Sequence, residues 1–143
     1  MEAWSNSKEE TQKVAATLAK NLGGGDVVAL YGQLGAGKTV FAQTLAKTLG
    51  VKKRILSPTF VFIRSYEVTR NSKKITFNHL DLYRSQSSSD FDTLGLEEIF
   101  DKDAICVIEW ADKIEKFLPK KRIDVFFEIK DDNKRLIRVK RHK

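Results

Sequence analysis

The chain has 143 residues, 41% of them hydrophobic and 31% charged, with a formal net charge of +7. This length and balance suit a single α/β-sized domain with its own core, and no apolar run approaches the roughly 18 residues of a membrane helix. One cysteine, Cys106 in the apolar run AICVI, excludes an internal disulfide framework and reads as a buried, inert thiol, while MEAWSNSKEE lacks the blocks of a secretory signal, so a reducing cytoplasm is the expected compartment.

Taken in order, SKEETQKVAATLAKNL has helical periodicity, with Ser7 as N-cap, acidic residues in the first turn and Gly23–Gly25 as the stop. DVVALY (26–31) is a short β-branched apolar run and reads as a buried strand. KTVFAQTLAKTLG follows a glycine loop and reads as a helix stopped by Gly50. The runs 59–68 and 74–83 are β-rich and are joined by the polar TRNSK, which predicts an antiparallel hairpin. SQSSSD reads as a loop before a helix in DFDTLGLEEIF, a reading that Gly95 weakens. AICVIEW (104–110) is a second buried strand, ADKIEKFL a short helix ended by Pro119, and RIDVFFEI and RLIRVK a strand pair about the turn KDDNK. The order predicts one α/β domain over 1–143: a mixed central sheet flanked by helices, a right-handed βαβ crossover, an antiparallel hairpin and a C-terminal strand pair.

Gly32 to Thr39, GQLGAGKT, fits G-x-x-x-x-G-K-[ST]. Glycines let the backbone curl so that successive N–H groups face one concavity, which meets the positive N-terminus of the next helix. Phosphate oxygens are the natural occupant, and the domain is expected to be P-loop NTPase-like. Lys38 is the expected partner of the β- and γ-phosphates and the Thr39 hydroxyl a ligand of Mg²⁺.

Such a site also calls for an acid near the metal at the end of an apolar strand. Glu109, ending AICVIE, and Asp81, in FNHLDLYR, are the two candidates. One would serve Mg²⁺ directly or through water and the other would orient water or a hydroxyl. Period-2 alternation puts His79 on the face of Asp81, where a structural pairing is as good a reading as a catalytic one. Thr59, in SPTF, lies where segments sensing the γ-phosphate are found, although Pro58 alone would account for a rigid strand entry.

GQLGAGKT, SPTF, HLDLYR, LGLEE and IEW, in this order and in a chain of this length, resemble the bacterial TsaE (YjeE) family over nearly the whole chain. The resemblance implies a small ATPase required for threonylcarbamoyladenosine beside the tRNA anticodon. It would act with TsaB and TsaD in an indirect or regulatory role and reach tRNA through that complex, with no membrane or DNA partner. It further implies that Leu34, Gly35, Ala36, Gly37, Lys38, Thr39 and Val40 bind phosphate, that Thr39 and Glu109 hold Mg²⁺, and that Asp81 is a nucleotide-site acid. Thr11 and Trp110 would lie beside the nucleotide, joined by Arg135 or Asn133 from the C-terminal hairpin. Gln33 departs from the family's usual acid in the loop.

No arginine finger or water-orienting glutamine is evident, so slow turnover by the chain alone is expected. The alternatives are a small-molecule kinase, for which Arg84 is the sole lid arginine in YRSQSSSDFD, and a GTPase, for which no N/T-K-x-D motif appears. The late basic runs PKKR and KRLIRVKRHK leave a solvated surface or a nucleotide-independent RNA-binding module as further readings.

Overall fold

Glu2–Ser5 forms β1, Lys8–Ala19 α1, Val27–Gly32 β2 and Lys38–Leu49 α2. There follow β3 (Arg54–Ile55), β4 (Ile63–Arg70), β5 (Lys73–Asp81), α3 (Leu96–Ile99), β6 (Ala104–Glu109), a 3₁₀ segment (Ala111–Phe117), β7 (Arg122–Asp131) and β8 (Lys134–His142). The computed structural model describes residues 1–51, 54–55, 63–83 and 96–143. Pro58, Thr59, the strand start expected at 59–62, Arg84, the 85–90 loop and the expected helix up to Gly95 lie outside the described residues.

Among the described residues, eight strands make one mixed sheet in the order β1-β8-β7-β2-β6-β5-β4-β3. β2 pairs in parallel with both β6 and β7, and β5 with β6. The parallel neighbours require crossovers, and α2 leads the chain away from the end of β2. β4–β5 and β7–β8 are the two antiparallel pairs that the sequence predicts. The first turns on Asn71 and Ser72, both at positive φ (52° and 64°), as a two-residue hairpin with right-handed strand twist demands.

β6 is buried along its whole length, which explains its unbroken apolar run. On one face of the sheet α1 and α2 bury Leu18, Phe41 and Leu45 against Val28, Phe77 and Val107. Phe41 meets Phe127 edge to face at 5.3 Å. The other face packs Val27, Ala29 and Cys106 against Ala111, Ile114 and Leu118. Cys106 is fully buried and burial pushes its thiol up to about 12, in accord with the inert reading.

Three details differ from the sequence reading. β1 had no legible signal, because four residues carry no usable periodicity; its strand form comes from pairing with β8 at the other end of the chain. α1 ends at Ala19 rather than at the glycines, finished by 3₁₀-type bonds from the N–H groups of Asn21 and Leu22 to the carbonyls of Leu18 and Ala19. ADKIEKF is 3₁₀ rather than α-helical, entered from a left-handed Trp110 and broken at Ile114.

Arg70, at the end of β4, closes the carbonyl end of α1. Its Nε and Nη2 donate to Leu22 O at 3.1 and 2.7 Å, and Nη2 also donates to Lys20 O at 3.1 Å. Hydrogen bonds to a charged donor contribute about 1.5–3 kcal/mol, so Arg70→Ala should lower unfolding free energy by about 2 kcal/mol, read as a reduced urea midpoint with an unchanged slope.

Candidate functional site

β2 ends at Gly32 and the chain turns through Gln33–Gly37 into α2. Two glycines make the turn feasible. A Cβ on Gly32 would lie 2.9 Å from Phe127 O, and Gly37, the N-cap of α2, has φ +109°. Ser, Thr, Asp or Asn usually fills an N-cap with a side-chain oxygen; here the position is bare, leaving the first N–H groups of α2 to an external acceptor.

Lys38, the first residue of α2, is only 4% exposed. Its Nζ donates to the carbonyls of Gly32 and of Gln33, the latter at 2.9 Å, and lies 3.9 Å from the centroid of the Trp110 ring. Burial lowers its pKa, opposed by the carboxylates of Glu109, Asp112 and Asp81. Because Gln33 enters through its backbone oxygen, its departure from an acid leaves this contact intact.

Glu109, at the end of β6, is 2% exposed. Thr39 Oγ1 donates to its Oε1 at 2.7 Å and His79 Nε2 to its Oε2 at 2.6 Å. Burial is the largest single influence and pushes its pKa up. The hydrogen bonds from His79 and Thr39, with the His79 ring and the Lys38 ammonium nearby, outweigh it and hold the carboxyl below the usual glutamate value. Asp81 stands directly opposite Glu109 in the β5–β6 register, exposed to solvent, and accepts from Tyr83 N–H at 3.2 Å.

Trp110 follows with φ +61°, a left-handed conformation that a bulky residue adopts at a cost of about 1–2 kcal/mol. The bend takes its indole out of the strand, over Lys38 and against Tyr83, at 5.1 Å between ring centroids. The indole also packs on the core of the sheet's second face, as a strand-end aromatic would.

Two clefts open on either side of the loop. One, of about 190 Å³, is lined by Leu34, Gly35, Gly37, Lys38, Thr39, Val40, Glu109 and Trp110. The other, of about 230 Å³, lies between the loop, the β1–α1 turn and the β7–β8 turn; Thr11, Ala36, Asn133 and Arg135 are on its walls. The clefts share Gly35, Gly37 and Val40 as walls, so they flank the loop as a divided trough. Thr11 is buried, 2.7 Å from Ser5 Oγ, and Arg135 Nη2 donates to Gly35 O at 3.4 Å. Asn133 and Arg135, alternatives in the sequence, thus line the same wall.

Of the predicted site residues, Asp81 lies beside Glu109 in the register but lines neither cleft, Thr59 lies outside the described residues, and the others line one cleft or both. Sequence reasoning assigned no role to Ser5 or Tyr83; Ser5 lines the second cleft, and Tyr83, though part of HLDLYR, packs against Trp110 at the edge of the first. Among the described residues no cluster of three or more His, Cys, Asp or Glu side chains is poised to hold a metal by itself. Thr39 and Glu109 are a sparse oxygen pair of the kind that suits Mg²⁺, which keeps waters and shares its coordination with phosphate.

A mixed α/β sheet with a glycine loop between β2 and α2, a lysine and threonine opening the helix and a carboxylate on the adjoining strand end define a P-loop NTPase-like protein. The family model for the threonylcarbamoyl adenosine biosynthesis protein TsaE matches residues 5–137, and the chain belongs to the TsaE family. It is 38% identical to the tRNA threonylcarbamoyladenosine biosynthesis protein TsaE of Bacillus subtilis over 90% of this chain and 78% of that one. With the Treponema pallidum protein of the same description it shares 34% identity over 97% and 99% of the two chains. The crystal structure of Bacillus subtilis YdiB superposes with a TM-score of 0.77 at 31% identity, covering 100% of this chain and 86% of that one.

A depressed carboxylate contributes stability above its ordinary value, here 4.5, and loses it as pH falls through the lower folded value. As pH falls below 4.5, the urea midpoint of the unaltered protein should therefore drop more steeply than that of Glu109→Gln, which has no such proton to take up.

Proposed function

We propose that the chain binds ATP with Mg²⁺ and hydrolyses it slowly, as a cytoplasmic ATPase of tRNA threonylcarbamoyladenosine biosynthesis working with TsaB and TsaD. The observation that carries the reading is the 2.7 Å contact of Thr39 Oγ1 with Glu109 Oε1, where the glycine loop, the helix N-terminus and a strand-end carboxylate converge. The relatives in Bacillus subtilis and Treponema pallidum, both tRNA threonylcarbamoyladenosine biosynthesis proteins, support the pathway.

The loop amides and the uncapped start of α2 offer donors to phosphate oxygens. Lys38 exchanges its bonds to Gly32 O and Gln33 O for the β- and γ-phosphates, leaving the Trp110 face as it does so. Thr39 Oγ1 and Glu109 are the residues that would hold Mg²⁺, which supplies neutralisation of the phosphate charge when bound. Asp81, exposed beside Glu109, is placed to orient an attacking water, and Thr59 is a candidate for sensing the γ-phosphate. The cleft bounded by Thr11 and Arg135 takes the nucleoside.

Arg135 is committed to the carbonyls of Asp131 and Gly35, on the side of the loop away from Glu109. It is therefore poorly placed to stabilise charge at the γ-phosphate, and turnover by the chain alone should be slow. ATP hydrolysis should be low for the purified chain, rise with TsaB and TsaD together and vanish in Lys38→Ala. Brisk turnover indifferent to the pair would remove the partner-coupled reading. In a Trp4→Phe background, Trp110 emission should shift on addition of ADP and Mg²⁺ and stay constant in Lys38→Ala; an unshifted spectrum with binding shown by calorimetry would sink the proposed movement of Lys38.

A further inference from the structure

We propose that His79 is a positioning residue for the Mg²⁺ site: by holding one oxygen of Glu109 it keeps the other directed at Thr39 and the metal. The inference rests on the ATP–Mg²⁺ reading above and deepens it.

A glutamate side chain has three torsions and can turn either oxygen outward. Here the two oxygens have separate donors, Thr39 Oγ1 on Oε1 at 2.7 Å and His79 Nε2 on Oε2 at 2.6 Å. With both ends held, rotation of the carboxylate breaks a hydrogen bond. An ionised carboxylate only accepts, so the proton of the contact sits on His79 Nε2, and that fixes the ring's orientation as well. Of the two donors, the Thr39 hydroxyl is the one that ligation of Mg²⁺ would redirect. His79 is the donor that remains.

The sheet explains why His79 does this and Asp81 does not. β5 runs parallel to β6, with His79 opposite Val107 and Asp81 opposite Glu109. Both β5 residues rise on the face that carries Glu109. Asp81 lies outermost, in solvent, and accepts from Tyr83 N–H. His79 lies one pleat deeper, its side chain 15% exposed, and its ring is long enough to reach back to Oε2. An acid in that place would repel Glu109; a hydrogen-bond donor holds it. Groups that orient a metal-binding carboxylate in this way are worth about 10–100-fold in metal affinity.

The test uses the full chain as wild type, His79→Leu, which keeps apolar bulk without a donor, and His79→Gln, whose side-chain nitrogen can reach Oε2. ADP binding is measured by calorimetry in EDTA, and Mn²⁺ binding to the ADP complex by electron paramagnetic resonance. His79→Leu should bind ADP in EDTA as wild type does and need about 10-fold or more Mn²⁺, with His79→Gln restoring most of the loss. If His79→Leu does not fold, His79→Asn, too short to span to Oε2, takes its place in the comparison. Wild-type Mn²⁺ affinity in the donorless variant, or equal losses in the Leu and Gln variants, would overturn the role. Wild-type protein that binds ADP but no Mn²⁺ would overturn the Mg²⁺ reading itself, and this inference with it.

Discussion

Leu30 lies opposite Glu109 across the parallel pair β2–β6, and the candidate site depends on that register. β2 delivers the glycine loop and α2 from its end, and β6 delivers Glu109 from its own. Since the strands run the same way, their carboxyl ends coincide, and the first turn of α2 meets the carboxylate. A slip of one residue would send Glu109 to the opposite face of the sheet. The side chains of β6 cannot prevent such a slip by alternation, since the strand is buried on both faces. Bonds from the residues just before β2 help: Cys106 N–H donates to Asp26 O and Gly25 N–H to Ala104 O.

Two charged groups are buried in this corner, and each is satisfied by neighbours that leave it oriented. Lys38 is held by two carbonyls and an aromatic face, Glu109 by a hydroxyl and an imidazole. Burying a charge without such partners costs several kcal/mol. The carbonyls and the indole are modest partners for an ammonium, so a phosphate can compete for it. The carboxylate is held more firmly, through charge-assisted bonds on both oxygens. One side of the site is thus exchangeable and the other fixed, which suits a loop that grips a charged ligand against a stationary acid.

The two ends of the chain complete the trough. β1 pairs with β8 and brings Ser5 and the start of α1 to the loop; the β7–β8 turn brings Asn133 and Arg135 to the same place. Their contribution is a wall, and its position follows from strand pairing at the edge of the sheet.

Much of this was legible in the residues. GQLGAGKT, placed between an apolar strand and an amphipathic helix, implies an anion-binding turn because the conformation of each residue there is set locally, by glycine's freedom and by the helix start. The apolar run before Glu109 marks a buried strand for the same kind of reason. Glu109 and Asp81 were both readable as acids for the loop, and the structure puts Glu109 in contact with Thr39 while Asp81 stays in solvent. What the sequence left open are pairings between distant segments. His79 stood between a structural and a catalytic reading because alternation gives its face but not the residue across from it. β1 was invisible because four residues do not make a pattern, and Trp110's reversal out of the strand has no glycine to announce it. The sequence by itself determined the loop, its strand and helix, and the kind of ligand they suit, since these follow from backbone freedom and local periodicity. Only the tertiary structure decided which acid meets Thr39, what holds that acid, and which remote segments wall the trough, because those depend on register across the sheet, a relation between strands that no single stretch of chain contains.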